Sequence, residues 1–386
     1  MKLKRLTALL LSMMMVLSLA ACGGGGDTKD DSASGDLSGK TIIIGNITPV
    51  TGAQAAYGLA ITNSIQLAID EINAAGGILG ATVKLSTKDD QGTPAEAVSG
   101  FNSLLSEGAS AIIGATLSSC TSAITSLADD EGIVLVTPSS TADSITTKDD
   151  YVFRSCFKDS FQGEMVAAYA KDQGWTKAAV LYATGDTYSS GLHDSFVKAA
   201  EKYGIEIVCE QSSSDTGAVD FSSQLATIAA SGADMLFAPY YYDAVGPKII
   251  PQAREAGFKG AIMGCDGFDG TQDYTTGDLS AYENVYFTNH YSPEDSSEIV
   301  QNYVKNYTAK YGSESMNALG ALAYDAMYMV KQAIEKAGSI DHDAIRDAMS
   351  GMHYVGVTGT PEKSVAILTF TPSDGKLVQK FVKTQS

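Results

Sequence analysis

Residues 41–87 read TIIIGNITPVTGAQAAYGLAITNSIQLAIDEINAAGGILGATVKLST. The stretch opens on a β-branched run, TIIIGNI (41–47), and closes on a second one, TVKLST (82–87). Between them, from near Gly58, Ile61, Ile65, Leu67, Ile69 and Ile72 share one broad face at helical spacing, the pattern of a helix with one side against a core. Gly76 and Gly77 supply the stop, because glycine takes the left-handed backbone that ends a helix without a Cβ clash. Strand, helix and strand in this order predict a parallel pair, since parallel strands need a crossover of about a dozen residues or more. The alternation continues with SAIIGA (110–115) and IVLVTP (133–138), so a parallel sheet with helices on its faces is expected.

After YVFRSCF (151–157) the same alternation restarts with AAVLYA (178–183), IEIVCE (205–210), ADMLFAP (233–239), GAIMGC (260–265) and NVYFTNHY (284–291). The fold class read from this is α/β, with two doubly wound lobes whose parallel central sheets are joined by hinge crossovers. Three more helical segments (296–311, 317–337 and 341–350) and a last β pair, VAILTF (365–370) and KLVQKFVK (376–383), lack the strands for a third domain. The chain is therefore expected to cross back, making each lobe discontinuous: an N-terminal lobe from 40–157 plus 290–360, and a C-terminal lobe from 158–289 plus 361–386.

The 386 residues carry 26 basic and 45 acidic side chains, a formal charge of −19, with 44% hydrophobic and 18% charged residues. That composition is ordinary for a globular protein, and its sign argues against a nucleic-acid partner held through phosphates. The first residues are of another kind. MKLKR precedes the apolar run LTALLLSMMMVLSLAA and Cys22, the layout of a signal peptide over 1–21. GGGGDTKDDSASGDLSG (23–39) holds almost nothing apolar, so 22–39 reads as a flexible tether. GDLSGKT (35–41) is one residue short of a phosphate-loop pattern and precedes a strand instead of following one, so it is set aside. Cys120, Cys156, Cys209 and Cys265 lack metal or redox spacing, and His193, His290, His342 and His353 are isolated from one another in sequence, so no metal or cofactor is expected. Spacing alone does not pair the cysteines.

In open α/β sheets a ligand binds beyond the carboxyl ends of the strands. IIGA runs into TLSSCT with Ser118 and Ser119, and IVLVTP runs into Ser139, Ser140 and Thr141. In the second half AAVLYA leads to Tyr188, MLFAP to Tyr240, Tyr241 and Tyr242, and AIMGC to Asp266. Hydroxyls and free N–H groups at helix starts after Ser118 and Ser139 suit a carboxylate, and a lone carboxylate suits an ammonium. Tyrosines add apolar faces, so the set matches a zwitterionic amino acid in a cleft. Each residue also has a plain alternative: Ser118 or Ser119 as a helix cap, Thr141 or Asp266 as turn chemistry, and at least one of the three tyrosines facing elsewhere by strand alternation.

The order IGNITPVTGAQAAYG (44–58), DEINAAGGILG (70–80), IIGATLSSCTSA (112–123), EGIVLVTPSSTA (131–142), FRSCFKDSFQG (153–163), YSSGL (188–192) and MGCDG (263–267) resembles the leucine/isoleucine/valine-binding protein family, type I solute-binding proteins of ABC transporters with a type I periplasmic binding protein fold. The resemblance covers nearly all of 41–386. It implies that Ser118 and Thr141 take the ligand carboxylate, and that the backbone of Ser139 and Ser140 faces the ligand head. It further implies that Asp266 stands where the family often has a glutamate for the α-ammonium, that Tyr188 and Tyr241 close over the ligand from the second lobe, and that Tyr57 lies at the rim of the first. LAAC (19–22) is similar to a bacterial lipobox, which would leave Cys22 lipidated.

Aspartate for glutamate shortens the reach by one methylene, Thr116 and Leu117 depart from the familiar side-chain pocket, and no cysteine precedes Cys120 in the folded part to make the family's early disulfide. The expectation is a monomeric receptor without catalytic chemistry, exported and held on the extracytoplasmic face of the cell membrane by its N-terminal lipid. It would capture a small-molecule amino acid, branched-chain leucine, isoleucine or valine first, and deliver it to an ABC transporter permease. The alternative is the same fold binding an amide, a urea-like compound or an aromatic acid. A sensor ectodomain would need a signalling segment. A hydrolase would need a nucleophile with a base, and there is no GxSxG elbow and no histidine at the five polar strand ends.

Overall fold

The strand Thr41–Thr48 (β1) has Ile42, Ile44 and Ile47 fully buried, as expected of a central strand covered on both faces. In the computed structural model, which describes residues 35–386 except 147–150, 276, 314 and 360–363, β1 pairs in parallel with Thr82–Asp89 (β2) and Ala111–Ile113 (β3). Leu135–Thr137 (β4) and Val152–Arg154 (β5) complete a five-stranded parallel sheet in the order β2-β1-β3-β4-β5. The signal peptide, Cys22 and most of the tether fall outside the described residues.

The helix after β1, Ala55–Ala74 (α1), buries Ile61, Ile65, Ile69 and Ile72, the face read from its spacing. It ends as its glycines require: Gly77 N–H donates to Ile72 O at 2.9 Å with φ of +81°, and a Cβ there would lie 1.9 Å from Ala81 O. Pro94–Ser106 (α2) starts on Thr93, whose hydroxyl accepts from Glu96 N, with proline in the first turn where no donor is lost. Two short helices, Ser118–Ser122 (α3) and Thr125–Asp130 (α4), lie between β3 and β4.

The second sheet has seven strands in the order β12-β11-β10-β9-β8-β6-β7. Lys177–Ala183 (β6), Glu206–Ser213 (β7), Met235–Phe237 (β8), Ala261–Gly264 (β9) and Val285–Asn289 (β10) run parallel. Val365–Ser373 (β11) and Lys376–Gln385 (β12) join antiparallel at one edge as a hairpin, so this sheet is mixed and not wholly parallel. Asp159–Asp172 (α5), Thr187–Tyr203 (α6) and Ser222–Ala230 (α7) belong to this half, with α5 packed on α6. Tyr242–Ala244 (α8) runs through a π turn, Val245–Ile249, into Ile250–Glu255 (α9).

Glu298–Tyr311 (α10), Ala318–Ala337 (α11) and His342–Ser350 (α12) follow β10, and α11 packs against α1, β3 and β4 of the first sheet. The chain therefore passes between the halves after β5, after β10 and again before β11, because the late helices lie on the first sheet and the last strands on the second. A buried carboxylate helps fasten the passage after β10: Asp269 accepts from Asn289 Nδ2 at 2.9 Å and from Ala318 N at 2.7 Å, tying the start of α11 to the second sheet.

Gly58 is as tight as Gly77, at the place where α1 meets the chain leaving β1. A Cβ at this position would lie 1.9 Å from Pro49 O and 3.1 Å from Thr48 Oγ1. Gly58→Ala is expected to cost about 1–3 kcal/mol, the usual penalty of forcing a methyl into a packed site, read as a lower urea midpoint with an unchanged slope.

Candidate functional site

Carboxyl ends of strands from both sheets meet at a narrow pocket lined by Tyr57, Thr116, Leu117, Ser118, Ser139, Tyr188, Tyr241, Asp266, Gly267 and Leu319. Six of the eight residues expected to bind ligand are on that wall: Tyr57, Ser118, Ser139, Tyr188, Tyr241 and Asp266. Ser140 and Thr141 are fully buried and are not among the lining residues.

Ser118 stands in the first turn of α3, whose cap position is Leu117, so it is not the helix cap. Its Oγ accepts from Ala142 N at 3.4 Å, a long contact that joins the ends of β3 and β4. No α-helix begins directly after Ser139; the chain bends at Pro138 and Ser139, runs irregularly through Ala142 and then makes a single 3₁₀ turn, Asp143–Thr146. Ser139 Oγ donates to Thr116 O at 2.8 Å, while Ser140 Oγ lies 2.5 Å from Thr121 Oγ1 and turns inward to the carbonyls of Ala115 and Thr116. The Ser140 hydroxyl is therefore a brace beneath the pocket.

Arg154 was not foreseen from sequence, yet it organises this edge. Its guanidinium donates to the carbonyls of Ser140, Thr141 and Ala142 at 3.1, 2.9 and 2.8 Å, holding the TPSSTA backbone in one conformation. The Thr141 hydroxyl is buried without a hydrogen bond. Both oxygens of Asp159 at the start of α5 also lack a well-formed hydrogen bond, although the nearby Thr141 hydroxyl favours the charged form and partly offsets the effect of burial. Burial, with the neighbouring Asp266 and Asp143 charges, pushes the Asp159 carboxyl well above its ordinary range. Buried polar groups are nearly always paired, so this uncommitted pair is unusual.

Asp266 follows β9 and is 3% exposed. Its Oδ1 accepts from Gln162 Nε2 at 3.0 Å and from Tyr188 OH at 2.9 Å, and its Oδ2 lies 3.2 Å from His290 Nε2. Gln162 is fixed in turn: its Oε1 accepts from Asp266 N at 2.9 Å and from Thr288 Oγ1 at 2.6 Å. The five polar strand ends read from the sequence carry no histidine, but His290, directly after a sixth strand, β10, reaches the carboxylate. Its 24-residue separation from Asp266 hid that contact. The serine hydroxyls around the pocket are engaged with the backbone, so the arrangement does not present an activated serine nucleophile.

Aromatic rings make the remaining walls. Tyr188 and Tyr241 stack with centroids 5.0 Å apart, and Tyr57 meets Tyr241 edge-on at 6.4 Å. Tyr57 is 1% exposed, so it lies inside the closed cleft and not at a rim. Its hydroxyl donates to Gly267 O at 2.6 Å across the cleft. Tyr242 bridges the same way, accepting from Ala56 N at 3.1 Å and donating to Ala53 O at 2.9 Å, and Gln54 Nε2 donates to Asp243 Oδ1 at 3.0 Å. Burial keeps the Tyr57, Tyr188 and Tyr241 phenols protonated by raising them well above their ordinary range, so they act as donors. Cys120, Cys156, Cys209 and Cys265 are free thiols, and among the described residues there is no group of three or more His, Cys, Asp or Glu that could hold a metal.

The buried Asp159 carboxyl makes a prediction about pH. Its proton is held in the folded state and lost in the unfolded chain above about pH 3.9, so the folded state binds more protons and this residue's share of stability falls as pH rises through that window. Asp159→Asn removes that share. Its urea midpoint is expected to exceed the parent's at pH 8, by about 1 kcal/mol or more in stability, with the gain shrinking toward pH 4. An equal gain at both pH values would show the carboxyl ionised in the fold.

A family model described as periplasmic binding protein matches residues 41–384. The Leu/Ile/Val-binding protein homolog 3 of Brucella melitensis is 32% identical over 312 residues, 78% of this chain and 81% of its own. Among solved structures, a leucine binding protein of Thermotoga maritima is 30% identical with a TM-score of 0.81, covering 89% of this chain and 98% of that one. The substrate binding protein of a branched-chain amino acid transporter from Streptococcus pneumoniae, in complex with isoleucine, is 31% identical with a TM-score of 0.78 and covers 89% and 99%. These relatives are binding proteins and not enzymes, in line with a pocket whose hydroxyls brace a backbone. With the match spanning both sheets and the cleft between them, the chain belongs to the periplasmic binding protein family and resembles its leucine/isoleucine/valine-binding members.

Proposed function

We propose that this protein is the solute-binding component of an ABC transporter and that it captures a branched-chain amino acid in the pocket between its lobes. The observation that carries the reading is the polarity of the pocket. Hydroxyls from the first sheet, Ser118 on the wall and Thr141 unpaired behind it, oppose the Asp266 carboxylate from the second, with Leu117, Leu319 and tyrosine rings between. A zwitterion with an apolar side chain matches this pattern. Its carboxylate would take Thr141 and Ser118, its ammonium would lie on Asp266 toward Asp159, and its side chain would lie against Leu117 and Leu319.

The ligand would then act as the bridge that holds the cleft shut. Each charge-assisted hydrogen bond is worth about 1.5–3 kcal/mol, so the few offered here, with the side chain buried, reach the roughly −8 kcal/mol of micromolar affinity after ordering costs. The cross-cleft bonds of Tyr57, Tyr242 and Gln54 add to closure without touching the ligand's charges. An aromatic monocarboxylate offers no cation to Asp266, and its own charge would be repelled there. The N-terminal signal and Cys22 support export and a lipid anchor, which would keep the receptor beside its permease. In this reading the lobes divide at 157/158, 289/290 and 360/361, and the crossovers act as the hinge.

A thermal-shift screen of the protein against the twenty amino acids, urea, short amides and benzoate tests the ligand class, since a ligand specific to the native state raises stability by RT ln(1 + [L]/Kd). Shifts confined to leucine, isoleucine, valine and close relatives are expected. Silence from every amino acid with a response to an amide or benzoate would overturn the reading. Asp266→Asn is expected to weaken leucine binding by about 30-fold or more, the 2–5 kcal/mol lost when one partner of a buried charged pair is removed, with an unfolding temperature within a few degrees of the parent's. Undiminished affinity would place the ammonium elsewhere.

A further inference from the structure

We propose that His290 is the positioning group for Asp266 and makes capture of an ammonium-bearing ligand sensitive to pH, an inference that rests on the amino-acid reading of this same pocket. His290 is the first residue after β10, where the chain passes between the lobes. Its ring stacks on Phe157 with centroids 3.7 Å apart and planes 22° from parallel, and Phe157 lies on the passage that follows β5. Its backbone N–H donates to Asn289 Oδ1 at 2.9 Å. The imidazole side chain is only 2% exposed, so it is clamped by its stack and its edge is aimed at Asp266 Oδ2, 3.2 Å away. Facing a carboxylate, Nε2 must carry the proton and donate it.

In the neutral imidazole this bond orients Asp266 and leaves its full negative charge for an incoming ammonium. Oδ1 is already occupied by Gln162 and Tyr188, so the remaining capacity of Oδ2 is the place for the ligand. A second proton on the ring changes the balance. The cation pairs with Asp266 in a buried site, and the ligand's ammonium then meets a neutralised pair and a like charge. Among side chains, imidazole is the one whose unperturbed charge change falls between pH 5 and 8, so a pH series over that interval is the measurement that reads this geometry. The other groups that face this pair are Asp269 from the same turn as Asp266, Asp159 from α5, the Cys156 and Cys265 thiols, the Tyr188, Tyr57 and Tyr241 phenols, and Arg154 beyond Cys156 and Asp159. Two of these, Asp159 and Asp269, are carboxyls pushed above their ordinary range by burial, so the His290 contribution must be read as a difference between variants.

The test is calorimetric titration of L-leucine, L-isoleucine and L-valine into the parent protein and His290→Gln, which keeps a donor near Oδ2 but cannot become charged, from pH 8 to pH 5.5. Linkage requires that a proton which weakens the ligand be itself weakened by the ligand. The parent's Kd is expected to rise about tenfold on acidification, at least fivefold more than that of His290→Gln, while the two agree within about threefold at pH 8. His290→Phe, which keeps the stack and loses the donor, is expected to bind at least tenfold more weakly at pH 8. An NMR titration of the His290 ring in the parent protein, with and without L-leucine, needs no variant to fold, and its midpoint is expected to move to lower pH when leucine binds. Equal pH slopes in parent and His290→Gln, or an unmoved ring midpoint, would overturn this role and leave the amino-acid reading standing. No binding of any amino acid at any pH would overturn both.

Discussion

A carboxylate taken out of water must be surrounded by donors, and meeting that demand at Asp266 draws together distant parts of the chain. Gln162 comes from α5, Tyr188 from α6 and His290 from the passage after β10, while Thr288 on β10 fixes the Gln162 amide that supports the others. An unpaired buried charge costs several kcal/mol, so each of these partners is held to its place by the same requirement. The hinge side of the pocket is thus stiff, and its polarity is built into the second lobe.

The opposite wall is made by different means. Arg154 engages three successive carbonyls, and Ser139, Ser140 and Thr121 tie the loops after β3 and β4 into one surface. This network satisfies nearly every polar group except the Thr141 hydroxyl and, from the facing lobe, the Asp159 carboxyl. The acidic wall, the braced hydroxyl wall and the apolar lining of Leu117 and Leu319 together give the pocket the polarity on which the proposed amino-acid reading rests. The cross-cleft phenols of Tyr57 and Tyr242 give closure a contribution separate from either.

Much of this was legible in the amino-acid order. The Ile61, Ile65, Ile69 and Ile72 stripe, the glycine stop after it and the β-branched runs specify local structure through period and steric preference, which act within a few residues. Because parallel strands end on a common edge, polar residues after them could be assigned to one cleft, and Ser118, Ser139, Tyr188, Tyr241 and Asp266 do meet there. The rule names the edge and not the rotamer, so it could not tell that Ser140 turns inward or that no helix follows Ser139.

What the order of residues by itself determined was the alternation of strand and helix, the two-lobed α/β class and the edge at which polar side chains collect. Only the tertiary structure decided that His290, Gln162 and Arg154 belong to the site, that Tyr57 lies within it, and that the final hairpin adds antiparallel to the second sheet. The reason is distance along the chain. Periodicity reports on neighbours a few residues apart, whereas Gln162 and Asp266 are separated by 104 residues and meet because a buried charge requires partners from wherever the fold can bring them.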